Sequence, residues 1–380
     1  GCILPADSAM EAVEYGNIEV FAVRNLSDVL RILSAEEECE DLKVRSMTPA
    51  VAEAPDYAGL MDFSEIIGQE GAKRGVEIAC AGGHNVIMIG APGSGKSSLA
   101  KAMAGILPPM TLEESIQTSK IYSVAGKGNP LGGLMKVRPF RSPHHLASPV
   151  ALIGGGQNPQ PGEVSLAHNG VLFLDEMPEF GHSVLEVLRQ PLEDKRITIS
   201  RAKYAVEYPS NFTLIASMNP CPCGYYNHPT KECTCSAAAV HRYMGRISGP
   251  LMDRIDLHVE ITPVAIDEIS STERAESSAD VRQRVVRARE RQAERFKGLG
   301  IHTNTMMSSA MLRDMCPLSV ESRTLLDRAM ERLQLSARAY DRIIKVARTI
   351  ADLEGAADIE PQHISEAITY RSLDRDSWGR

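Results

Sequence analysis

Residues 90–97 read GAPGSGKS, directly after the apolar run NVIMI and opening into the helix-patterned SSLAKAMAGIL. No other stretch narrows the possible folds as far. The spacing is G-x-x-x-x-G-K-[ST]. Between a strand and a helix, such a loop lets backbone N–H groups converge on phosphate oxygens at the helix N-terminus. On this reading Gly90, Ala91, Pro92, Gly93, Ser94, Gly95, Lys96, Ser97 and Ser98 cradle the phosphates of ATP. Lys96 reaches the β- and γ-phosphates, and Ser97 binds Mg²⁺.

A phosphate loop of this kind needs a parallel sheet behind it. From about 62 to 262 short apolar runs (VIMIG, VLFLD, FTLIASMN, LHVEI) alternate with helical stretches, which predicts a parallel sheet covered on both faces. VLFLDE (171–176) places two carboxylates at the end of such a strand, where ligands of α/β sheets bind. Asp175 would hold Mg²⁺ through water, and Glu176 would act as general base on the attacking water. FTLIASMN (212–219) ends in Asn219, placed either to orient that water or simply to turn the chain before Pro220. Between these strands RITISRAKYAVEYPS alternates like a hairpin, with Arg201 and Lys203 at or near its tip.

Directly after Asn219 come four of the chain's eight cysteines, Cys221, Cys223, Cys233 and Cys235, in CPCGYYNHPTKECTC. Two Cys-x-Cys pairs nine residues apart suit a structural Zn²⁺, with His228 as a substitute ligand, or free thiols in a turn-rich loop. The opening GCILPADSAM lacks the basic and apolar regions of a signal peptide, so a reducing cytoplasm is expected, where clustered cysteines more often bind metal than pair. A net charge of −8 excludes a globally basic nucleic-acid binder and leaves room only for a local basic site. No apolar run approaches the ~18 residues of a membrane helix.

The predicted organisation has five parts. Residues 1–45 form a partial αβ domain, 46–61 (rich in Ala and Pro) a linker and 62–265 the α/β core. Residues 266–297 form a connecting segment with a basic helix, and 298–380 a helical lid. In that connecting segment VRQRVVRARERQAERFK carries seven basic and two acidic residues and reads as a solvated face. His144 and His145 in RSPHHLAS read as structural residues of a loop, because adjacent side chains diverge.

The order of phosphate loop, LFLDE, basic hairpin, Asn-ended strand, GPLMDRIDLHVEI and helical lid resembles that of an AAA+ ATPase. GGLMKVRPFRSPHH, IGGGQNPQPGEVSLAHNGVLFLDE, LRQPLED, MNPCPCG and RISGPLMDRIDLHVE resemble the YifB/ComM family of magnesium-chelatase-like ATPases over roughly 55–375. The resemblance implies an α/β AAA+ core with a C-terminal helical lid, in a homo-hexamer that binds ATP between neighbours. It makes Asn219 sensor 1 and Arg254 the arginine finger, with Arg246 as runner-up. Arg338 becomes sensor 2, with Arg342 as the alternative, and Ile67 an adenine contact. Residues 1–45 resemble the end of that family's Lon-protease-like domain, most of which would then lie outside this chain, and no protease activity is expected. The implied activity is that of a DNA translocase or helicase in recombination or natural transformation, with Arg201 and Lys203 touching single-stranded or branched DNA. A magnesium-chelatase-like motor that remodels a protein partner is the alternative.

Overall fold

The computed structural model describes residues 1–13, 18–34, 39–44, 57, 59–127, 134–156, 159–201, 204–264 and 275–371, without the side chains of 7, 10, 11, 201 and 204. Most of the expected linker 46–61, much of the junction at 266–274 and Lys203 therefore lie outside the described residues, as does the side chain of Arg201. Two compact units emerge, one of residues 1–58 with 109–138 and one of 59–108 with 139–380.

In the first unit β1 (Cys2–Pro5) runs parallel to β2 (Val20–Val23), which pairs antiparallel with β3 (Lys43–Val44). The helix Leu112–Val124 belongs to the same unit. It opens with a capping box, Thr111 accepting from the Glu114 N–H while Glu114 accepts from that of Thr111. Such reciprocal caps satisfy two N–H groups that a helix leaves unpaired.

The second unit contains β4 (Val86–Gly90), β5 (Phe140–Arg141), the short pair β6 (Gly154–Gly155) and β7 (Gln160–Pro161), β8 (Val171–Leu174), the antiparallel hairpin β9 (Arg196–Arg201) and β10 (Tyr204–Pro209), β11 (Thr213–Met218) and β12 (Leu257–Ile261). Five of them form one parallel sheet in the order β12-β4-β11-β8-β5. Side chains on a strand alternate between faces, and both faces here are apolar. Val86, Met88, Val171, Phe173 and Ile215 point into one core, and Ile87, Ile89, Leu172, Leu174, Leu214 and Ala216 into the other. Helices Glu70–Gly82, Lys96–Ile106, Ser278–Arg295 and Ala337–Glu354 supply the first core, so the C-terminal helices pack against the sheet's own layer. Each fully buried Ile or Leu here contributes about 1.5–3 kcal/mol. Among the described residues no helix is long and apolar enough to cross a membrane.

The basic helix differs from its expected solvated face. Val281, Val285, Ala288 and Gln292 of Ser278–Arg295 are buried. Three of its arginines turn inward to acceptors at other helix ends. Arg282 donates to Gly105 O (2.5 Å), Arg289 to Cys80 O (2.8 Å) and Arg291 to Asp352 O. Carbonyls in the last turn of a helix lack intrahelical partners and carry partial negative charge, so they attract cations. The charge count was readable in the sequence, but the acceptors are backbone atoms far away along the chain and were not.

Candidate nucleotide site

The loop after β4 is shaped by its glycines. A Cβ on Gly90 would lie 2.5 Å from Ile261 O, and Gly93 and Gly95 adopt φ of +78° and +92°, a region that side chains disfavour. Gly95 is the N-cap of Lys96–Ile106 and gives no side-chain cap, so the helix presents bare N–H groups toward the loop. Ser94 Oγ is buried with no hydrogen-bond partner among the described residues. A loop with open N–H groups and an orphaned hydroxyl fits a phosphate.

Lys96 is buried, and its Nζ donates to Gly90 O (2.7 Å), Ala91 O (2.8 Å) and Asn219 Oδ1 (3.3 Å). Burial pulls its ammonium below the ordinary lysine value, while Asp175 and Glu176 pull it back up. Ser97 Oγ donates to Asp175 Oδ2 at 2.9 Å. These two hard oxygen donors suit Mg²⁺. Asp175 is fixed from its other side by the Ser217 hydroxyl, which also accepts the Glu176 N–H at 3.0 Å. Glu176 is exposed and has φ +52°, ψ +50°, an uncommon conformation for a residue with a side chain.

Two residues of this constellation were missed in the sequence. Ser217 lies two residues before Asn219, hence on the same side of β11, and that period of two was the available signal. Gln69, in EIIGQE, donates to Thr262 O (2.5 Å) and lies 3.5 Å from Ser94 O, so it fastens the phosphate loop to the end of β12. Nothing local in the sequence marks it. Ile67, the expected adenine contact, is 46% exposed while its neighbour Ile66 is in the core.

The arginines divide between the two edges of the sheet. Because the strands are parallel, the phosphate loop, Asp175, Glu176 and Asn219 follow β4, β8 and β11 at the C-terminal edge. Arg254 and Asp256 precede β12 at the N-terminal edge, about 16 Å away across a five-residue strand. Asn85, just before β4, holds this edge. Its Oδ1 accepts from Leu214 N (2.8 Å), its Nδ2 donates to Arg254 O (2.8 Å), and its O accepts from Asp256 N and Leu257 N. Arg254 itself donates to Pro250 O and Glu193, lowering the carboxyl pKa of the latter. Arg338 pairs with Asp253 at 3.2 Å and is 66% exposed, whereas Arg342 pairs with Asp256 at 3.4 Å and is 14% exposed. Burial alone would raise Asp256, but His84, Arg342 and Lys345 override it and hold the carboxyl at about 2. Arg254, Arg338, Asn85, Glu193 and Asp256 line one cleft of about 360 Å³. Arg246 lies at the other edge, donating to Pro178 O and to Glu179 Oε1 (2.7 Å) in the turn after Glu176.

The four cysteines converge. Their Sγ atoms all lie within 4.8 Å of one another. His228 does not join them: its Nδ1 accepts from Thr230 N (3.2 Å) and Lys231 N (3.0 Å). Burial opposes ionisation of Cys223, yet the Tyr225 N–H and the Cys221 thiol bring its pKa down to about 6. His144 and His145 lie with ring centroids 4.2 Å apart, and no metal-type cluster among the described residues includes them. In the hairpin, Arg201 pairs with Tyr204 across β9 and β10.

The family description for magnesium chelatase, subunit ChlI, matches residues 62–269, and that for the C-terminal part of the same subunit matches 275–371. The competence protein ComM of Haemophilus influenzae is 42% identical over 98% of this chain and 72% of its own length. The YifB protein of Salmonella typhimurium is 41% identical over 98% of the chain and 71% of its own length. The chain belongs to the YifB/ComM family of magnesium-chelatase-like AAA+ proteins. A more distant relative is the 38 kDa subunit of magnesium chelatase from Rhodobacter capsulatus, 24% identical over 85% of the chain. The phosphate loop, LFLDE and Asn219 of the family pattern all converge at one sheet edge, and the pattern's two arginine positions gather at the other.

Proposed function

We propose that the chain is an ATP-hydrolysing motor whose active sites form between neighbouring copies of a homo-hexameric ring, and that it moves along single-stranded or branched DNA. One observation carries the assembly: Lys96, Ser97, Asp175, Glu176 and Asn219 share one edge of the sheet, and Arg254 and Arg338 the opposite edge. An ATP held at residues 90–97 is out of reach of its own chain's Arg254 and Arg338, and a second copy supplies them.

In this reading Lys96 exchanges its carbonyl partners for phosphate oxygens. Ser97 and Asp175 would hold Mg²⁺, which supplies charge neutralisation for the β- and γ-phosphates. Asn219 orients water, and Glu176 takes its proton as the oxygen attacks the γ-phosphorus. Arg254 and Arg338 of the neighbour neutralise charge on the transferring phosphoryl group. Cys221, Cys223, Cys233 and Cys235 would hold a structural Zn²⁺.

The DNA reading draws on the competence name of a relative at 42% identity and on the basic residues Arg201 and Lys203 at the end of the β9–β10 hairpin in the sequence. A second reading, remodelling of a protein partner, draws on the similarity to the magnesium chelatase subunit. ATP turnover with and without single-stranded or branched DNA separates them. Stimulation by DNA that disappears in Arg201→Ala/Lys203→Ala supports the first. Binding of DNA that is neither detectable nor salt-dependent, together with no stimulation, would sink it. Glu176→Gln is expected to lower turnover at least about 100-fold with ATP binding kept.

A further inference from the structure

The cysteine cluster is joined to the nucleotide site twice. Along the chain, Cys221 follows Asn219 by two residues. Through space, Gly224 (φ +84°) lies against the phosphate loop so closely that a Cβ on it would come within 2.5 Å of Pro92 Cδ and 2.7 Å of Pro92 Cγ. The segment between the cysteine pairs, GYYNHPTKE, has little apolar material. Its shape comes from the His228 ring accepting two N–H groups and from Lys231 standing 4.7 Å over the Tyr225 ring. Holding nine residues on such contacts is difficult when each costs about 1–2 kcal/mol of backbone entropy.

The sulfur positions supply what is missing. Cys221 Sγ lies 3.3 Å from Cys223 Sγ and 3.7 Å from Cys233 Sγ, and the latter two are 3.6 Å apart. A disulfide needs about 2.05 Å. Four thiolates placed tetrahedrally at about 2.3 Å from Zn²⁺ lie about 3.8 Å apart.

We infer that these four thiolates bind Zn²⁺ and that the resulting knuckle braces the phosphate loop, so that metal occupancy sets nucleotide affinity. The inference rests on the reading of residues 90–97 as the nucleotide site. Zn²⁺ displaces the thiol protons and fixes both ends of the segment. Gly224 then backs Pro92 from outside while Asn219, two residues before the first sulfur, meets Lys96 from inside. Without metal the segment gains freedom, and nucleotide binding has to order it again, which weakens affinity.

The test measures metal content and the dissociation constant of a fluorescent ADP on the same purified chain. About one Zn²⁺ per chain should survive dialysis under reducing conditions, and Co²⁺ exchanged into the site should give the absorption of tetrahedral thiolate coordination. Chelation, or Cys223→Ser/Cys235→Ser, should weaken ADP binding about tenfold with helical circular dichroism retained, and added Zn²⁺ should restore the chelated wild type. Gly224→Ala should keep its zinc and still weaken ADP, since its Cβ meets Pro92 and strains the backbone at φ +84° without touching a sulfur. Protein purified reduced with no stoichiometric Zn²⁺ and no affinity for added Zn²⁺ overturns the metal site. Zinc that can be removed with ADP affinity unchanged, or Gly224→Ala that binds ADP normally, overturns the brace. Wild-type, zinc-loaded protein that binds no ADP, with Lys96→Ala indistinguishable from it, overturns the nucleotide reading instead.

Discussion

The two edges of the central sheet are made by the same strands and are finished in opposite ways. At the C-terminal edge polar groups are left open or held by stand-ins: Lys96 on backbone carbonyls, Ser94 Oγ on nothing described, and Glu176 out in solvent. At the N-terminal edge the chain is largely its own partner, with Asn85 using backbone and side chain at once and Asp256 ringed by His84, Arg342 and Lys345, although Arg254 Nε is buried without a hydrogen bond among the described residues. Groups on stand-ins can exchange them for a ligand, and groups paired within the chain aim a side chain. On the proposed reading a single chain carries both halves of an active site and cannot bring them together.

Three variants probe that contrast, starting with the largest effect. Arg254→Ala should lower turnover about 1,000-fold, measured as phosphate release, with ADP affinity unchanged. Mixed 1:1 with Lys96→Ala, itself inactive, it should recover about a quarter of wild-type turnover, because some neighbouring pairs then join an intact loop to an intact arginine. A mixture as inactive as its components would mean that each chain completes its own site. Asp256→Asn should cost about 3 kcal/mol in urea unfolding, the toll of breaking a buried ion pair. The sign with pH follows from the depressed carboxyl. With a folded value of about 2 against 3.8 for the free group, Asp256 stabilises fully above pH 4. The gap between wild type and variant should close as pH falls from about 4 to 2. Ser217→Ala should be the mildest, about tenfold in turnover, with folding stability nearly kept. If Arg254→Ala weakened ADP binding as strongly as turnover, the assignment of the two edges would be wrong.

Much of the C-terminal edge was legible in the sequence alone. Its residues are local: each chemical group sits at the end of an apolar run, and the runs are short enough to be strands of one parallel sheet. The N-terminal edge was half legible. The sequence ranked Arg254 ahead of Arg246 only by resemblance, and the parallel order of β4, β8 and β12 is what places them on opposite sides. What was illegible depends on atoms without a sequence signature. The carbonyls that receive Arg282, Arg289 and Arg291 are of this kind. So is the Pro92 ring that requires a glycine at 224, 132 positions further on.

The inward-turned arginines of Ser278–Arg295 also bear on how strongly DNA could be held. Cations engaged with helix ends release no counterions from a nucleic acid. If the hairpin alone meets the strand, each chain offers two cations there, Arg201 and Lys203. Affinity for single-stranded DNA should then fall with salt at a logarithmic slope of only about −1.4 per engaged chain. A ring built this way would grip weakly at each step and let go easily, a property useful to a machine that has to move.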